Sequence, residues 1–358
     1  MATSTVSSAH HSGSKADTKP MFGGIKFDMF MVILTSWFIG GVHLDGWAHS
    51  HIPQLETFFT PWHAVLYSGY LVCAVAIVGV VGLNHRRGYS WREAIPVGYE
   101  LSLLGVPLFL IAGVADMIWH ILFGIERSTE ALLSPTHLLL AFSGVLIVSG
   151  PLRAAWHRSN TRANSSWILL FPMLLSFLAT YSFFTFFTEY ASPFVRTWLV
   201  TQGNGDLQIS FGVTGILLQS GLMMGFVLLL LKRWRLPFGA LTFVLTVNTV
   251  MVCVFSDQYQ LVPVASIAGL VADLFIMRFN PSPERQNALR LFAFLVPFVL
   301  YLGYFIELMA LDGITWTIHL WLGSCFLAGI VGLVLSYLLV PPQQKPVEIE
   351  MDVPFPGK

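Results

Sequence analysis

The chain has 358 residues, of which 55% are hydrophobic and only 11% charged, with 19 basic side chains against 19 acidic ones. A soluble domain carries about a quarter charged residues, so this deficit, with a mean hydropathy of +0.70, places the chain in lipid. The zero net charge gives no electrostatic case for nucleic-acid binding, and Cys73, Cys253 and Cys325, each in a separate apolar run, form neither a disulfide framework nor a thiolate metal motif.

Residues 1–25 are rich in Ser, Thr, Ala and His and have no apolar core before about Met21, so they read as a disordered cytoplasmic tail rather than a signal peptide. From there the chain reads as an all-α integral membrane protein. Apolar segments fall at 27–48, 63–83, 95–123, 136–155, 166–188, 208–231, 237–256, 261–277, 289–310 and 315–340, each close to the roughly 20 residues a spanning helix needs. The transmembrane region is thus 26–340, with the first hairpins in 26–155 and further hairpins in 166–340. Residues 341–358 read as a second, Pro-rich tail.

Ten spans put both ends on one side, and the basic residues choose it. Lys15, Lys19, Lys26, Arg86, Arg87, Arg92, Arg153, Arg158, Arg162 and their later counterparts fall in one set of loops, seventeen in all. The other set holds only Arg127 and Arg196. An N-in, C-in plasma-membrane protein is expected. The acidic residues segregate the opposite way, at the outer ends of the spans.

Two of the outer turns carry the same pattern. The first reads Asp45-Gly-Trp-Ala-His49, then Glu56, then Thr60-Pro61-Trp62-His63. The second reads Asp116-Met-Ile-Trp-His120, then Glu126, then Ser134-Pro135-Thr136-His137. The aspartates are 71 positions apart, as are the histidines that follow them, which predicts an internal repeat of a helical hairpin. Residues i and i+4 share a helix face, so each Asp/His pair projects together. A hydroxyl residue followed by proline is a helix start, with the hydroxyl at the N-cap and Pro at N1; this places His63 and His137 in the first turn of the returning helix. Each hairpin is therefore expected to hold a metal with one carboxylate and two imidazoles, leaving coordination positions open. Glu56 and Glu126 are expected to orient the histidines from behind. His43 faces elsewhere on its helix, as a supporting or headgroup-facing residue, and His51 is a candidate loop ligand. Glu307, Asp312 and His319 are a further outer set without the repeated spacing, and Trp47, Trp62 and Trp119 read as interfacial aromatics.

The segments DMIWH…SPTH, and the histidine, glutamate and P-x-H that follow the same order, resemble the C subunit of the copper membrane monooxygenases, the particulate methane and ammonia monooxygenase family. The resemblance covers about residues 40–150. It matches Asp45, His49 and His63 to the family's first motif and Asp116, His120 and His137 to its second, with Asp116 where the family has Asn. It implies copper at these residues, a monooxygenase-like oxidation of a small apolar substrate, and the company of further membrane or cupredoxin-like subunits. The residues alone leave other readings open. Asp/His/His also suits zinc in a membrane hydrolase acting on a lipid, with Glu126 as base; iron is compatible; and intramembrane ionisable groups can mark a metal-ion or proton transporter. A structural subunit that docks a partner on its polar outer face is the plainest alternative.

Overall fold

The computed structural model describes residues 21–52, 58–124, 129–158 and 166–342. Most of the two expected tails, together with Glu56 and Glu126, lies outside the described residues. In chain order the helices are α1 (Gly24–His51), α2 (Pro61–Arg86), α3 (Glu100–Phe123), α4 (Thr129–Leu133), α5 (Pro135–Val148), α6 (Gly150–His157), α7 (Trp167–Phe187), α8 (Trp198–Thr201), α9 (Asp206–Arg233), α10 (Ala240–Cys253), α11 (Val262–Phe279), α12 (Gln286–Leu311) and α13 (Ile318–Leu339). No β-strand occurs among the described residues.

Eight helices are long and apolar enough to cross a membrane: α1, α2, α3, α7, α9, α11 with the turn before it, α12 and α13. The segment expected at 136–155 is a bent pair, α5 and α6, meeting at 42°. The segment expected at 237–256 forms only the 14 residues of α10, about 21 Å of helix at 1.5 Å per residue, short of a hydrocarbon core of roughly 30 Å. Composition sees apolar runs; it does not see that one is bent and another is partly loop.

The bend has a local cause. Pro151 has no N–H to donate, and the backbone groups freed at the break are taken by α7, where Ser176 Oγ accepts from Leu152 N (3.0 Å) and donates to Val148 O (2.6 Å). The short α10 is completed from a neighbour in the same way. Its first N–H groups, on Leu241 and Thr242, donate to the carboxylate of Asp273 on α11 (3.1 and 2.8 Å), which satisfies the donors a helix start leaves open.

Small residues set the helix spacing. A β-carbon on Gly41 would lie 2.7 Å from Leu66 Cα, and one on Gly69 would lie 2.6 Å from Phe38 Cα, so α1 and α2 touch backbone to backbone. Gly105 lets α3 approach α5 at Ser143 and Leu146. The buried apolar side chains gather in two clusters, and α7 contributes to both: Met173, Phe177 and Tyr181 to the larger cluster with α9–α13, Ala179, Phe183 and Phe186 to the smaller with α1, α2, α3 and α5. At the end of the bundle where α1 begins, buried Asp28 accepts from the Tyr99 hydroxyl (2.8 Å) and pairs with Arg158. The opposite end, where α1 and α3 finish and α2 and α5 begin, carries the candidate site.

Candidate metal centre

Thr60 and Ser134 cap the returning helices as their spacing predicts. Thr60 Oγ1 accepts from His63 N at 3.1 Å and Ser134 Oγ from His137 N at 3.3 Å, with Pro61 and Pro135 opening α2 and α5. Each cap fixes the first turn and so aims its histidine back across the hairpin.

In the first hairpin Asp45 Oδ2 lies 3.4 Å from His63 Nε2 and 3.7 Å from His49 Nε2. In the second, Asp116 Oδ2 lies 3.4 Å from His120 Nε2, and Asp116 Oδ1 lies 3.4 Å from His137 Nε2. Within each triad the three ligating atoms lie within 4.8 Å of one another, and among the described residues no other group of three or more His, Cys, Asp or Glu does so. Four ligands at bonds of 2.0–2.2 Å around a tetrahedral metal sit about 3.3–3.6 Å apart, so the carboxylate–imidazole distances fit a shared cation.

The imidazole tautomers support this. His63 Nδ1 is 2.5 Å from Phe58 O, and His120 Nδ1 is 3.4 Å from Gly124 O. A carbonyl only accepts, so the proton sits on Nδ1, and in the neutral ring Nε2 turns a lone pair toward the aspartate. Lone pair facing carboxylate is stable only with positive charge between them, a proton or a metal. Tying Nδ1 to a carbonyl is also how metal-binding histidines are commonly held.

The triads are alike but not equal. Asp116 is 2% exposed at its side chain where Asp45 is 15%, and Asp116 Oδ1 also accepts from the Thr136 hydroxyl at 2.8 Å. The matching residue in the first hairpin is Trp62, which offers Asp45 no such bond and packs edge-on against Trp47. His137 Nδ1 is 2.7 Å from Ser134 Oγ, so the capping hydroxyl also steadies the ring. The second centre is drier and more tightly built.

The hairpins meet through aromatic rings. Phe58 stacks on His63 at a centroid distance of 4.8 Å and lies 6.0 Å from the ring of His120, so it stands between the triads. A β-carbon on Gly113, three residues before Asp116, would lie 2.9 Å from the Tyr67 hydroxyl; the bare glycine lets α3 close on α2 there. Gly46, next to Asp45, is overlaid by Phe186 and Phe255, each 2.6 Å from where its β-carbon would stand. Phe58, Tyr67 and the hydroxyl of Thr136 carry no metal-binding signature, and sequence reasoning missed their roles. Only the position of Thr136, inside the S-P-x-H return, pointed toward it.

Other candidates go elsewhere. His43 is buried, with Nδ1 on Ile39 O (2.9 Å) and Nε2 on the Ser182 hydroxyl of α7 (3.1 Å), so it faces neither lipid headgroups nor a triad. His51 joins neither triad: it ends α1, bonds Trp47 O and reaches Asp257 at 3.1 Å, tying the first hairpin to the turn after α10. Glu307, Asp312 and His319 form no ligand group. Searches against protein-family models, curated proteins and solved structures return no match for the chain.

Proposed function

We propose that this is a multi-pass plasma-membrane metalloprotein holding copper at two sites, Asp45/His49/His63 and Asp116/His120/His137, and acting as a monooxygenase-like oxidoreductase or as the metal-binding subunit of one. The observation that carries the reading is the duplicated triad, in which each aspartate receives two Nε2 atoms within 3.4–3.7 Å. Three protein ligands leave positions free for a small reactant, and copper, when bound, supplies one-electron chemistry toward dioxygen. The chain's own residues do the rest. The aspartates anchor, Nδ1 contacts hold the rings of His63, His120 and His137, and Phe58 with its neighbouring rings keeps water from the space between the centres. The rim of this end is apolar and exposed at Phe59, Ile121, Leu122 and Phe123, which suits a small apolar substrate arriving from the lipid.

The hairpins are read as a parallel repeat about an axis along the membrane normal. Two contacts beyond the motif support this. Asp28 bonds Tyr99 and Phe38 meets Phe109 edge-on at 5.1 Å, each pair separated by the same 71 positions as Asp45 and Asp116. The distribution of Lys and Arg supports N- and C-termini inside and the triads outside, with the bent pair, and α10 lengthened by the turns on either side of it, completing ten crossings.

Titrating copper(II) into the purified protein tests the chemistry. Its electron paramagnetic resonance spectrum should show nitrogen splittings from two imidazoles at each centre. Preferential uptake of zinc, with no copper signal under competition, would move the reading to a hydrolase.

A further inference from the structure

The second half of the bundle contains a cavity remote from both triads, walled by α7, α9, α10, α11 and α12. Its volume is about 40 Å³, on a scale where one water requires roughly 10–15 Å³. That leaves room for about three or four non-hydrogen atoms.

Part of the lining is polar, and its hydrogen bonds are not closed. Tyr181, Ser192 and Asn248 are each more than nine-tenths buried. Asn248 Oδ1 is used, accepting from Thr185 Oγ1 at 3.0 Å. Its Nδ2, the hydroxyls of Tyr181, Ser192 and Thr249, and Gln219 Oε1 have no hydrogen-bond partner among the described residues. Polar groups without a protein partner favour an occupant of the cavity that bonds them. Met223, Leu245 and Leu300 make part of the lining apolar. No charged side chain lines the cavity, and an ion brought there would lose its hydration without a counter-charge.

We propose that this cavity is a binding site for a small neutral amphiphile of the short-chain alcohol class, its hydroxyl held by Tyr181, Asn248 and Thr249 and its alkyl group against Met223, Leu245 and Leu300. Hydroxyl, apolar stub and size each follow from one feature of the wall. The site does not depend on the metal reading, since no triad residue touches it.

The test is fluorine NMR of 2-fluoroethanol, a four-atom probe, with the purified full-length protein. Saturable line broadening is expected, reversed by ethanol and undiminished in His120→Ala. Asn248→Leu and the nearly isosteric Thr249→Val should each weaken binding at least tenfold, and Thr249→Val decides the matter if the leucine variant fails to fold. Broadening that does not saturate, or that is equal in wild type and Thr249→Val, would overturn the proposal and leave the cavity to water.

Discussion

Thr136 and Trp62 occupy the same place in the two returning turns, and the difference between them separates the two centres. The hydroxyl of Thr136 holds one oxygen of Asp116 at 2.8 Å, whereas Asp45, among the described residues, meets only its two histidines. Thr136→Val should therefore weaken metal binding at the second centre by roughly 10–100-fold, the usual effect of losing a group that orients a ligand, and leave the first unchanged. Competition with a graded chelator series measures both affinities. Ser134 combines two roles, capping α5 and touching His137, so Ser134→Ala should cost about 1 kcal/mol of stability and also loosen metal at the second centre. Thermal unfolding with and without metal separates the two effects. The grouping of the six triad residues was legible in the sequence because i, i+4 spacing and the hydroxyl-Pro start fix geometry locally. Phe58 and Thr136 were not, because an aromatic spacer and a supporting hydroxyl acquire meaning only when two distant segments meet.

Backbone contact decides where the paired helices can stand. Gly69 lets α2 rest on the backbone of α1 at Phe38, one helical stretch below Asp45. Gly69→Leu should spread that pair and remove metal from the first centre while the second, built on α3 and α5, keeps its own. Gly79→Leu, ten residues further along the same helix where a β-carbon meets open space, should change neither. Metal content beside circular dichroism distinguishes the outcomes; equal loss in both variants would refute the role given to Gly69. The existence of these helices was readable from apolar run length. The bend at Ser149–Gly150 and the shortness of α10 were not, because both depend on partners from other helices, Ser176 and Asp273, which take up backbone groups that a run of apolar residues cannot reveal.

For the molecule as a whole, the charge segregation yields a topology that can be read from outside the cell. The native cysteines Cys73, Cys253 and Cys325 are all buried, so single introduced thiols report cleanly. Asn204→Cys, on an exposed turn before α9, should react with a membrane-impermeant maleimide in intact cells, and Arg92→Cys, exposed between α2 and α3, only after permeabilisation. The reverse pattern would invert the orientation and put the triads inside. Metal at those triads is what the proposed function requires. The most direct measurement is elemental analysis of the purified, copper-replete protein, wild type beside His49→Ala/His63→Ala and the quadruple variant that adds His120→Ala/His137→Ala. The expected copper content is two per chain, then one, then none; metal-free wild type, or a copper content that does not change across the three proteins, would contradict it.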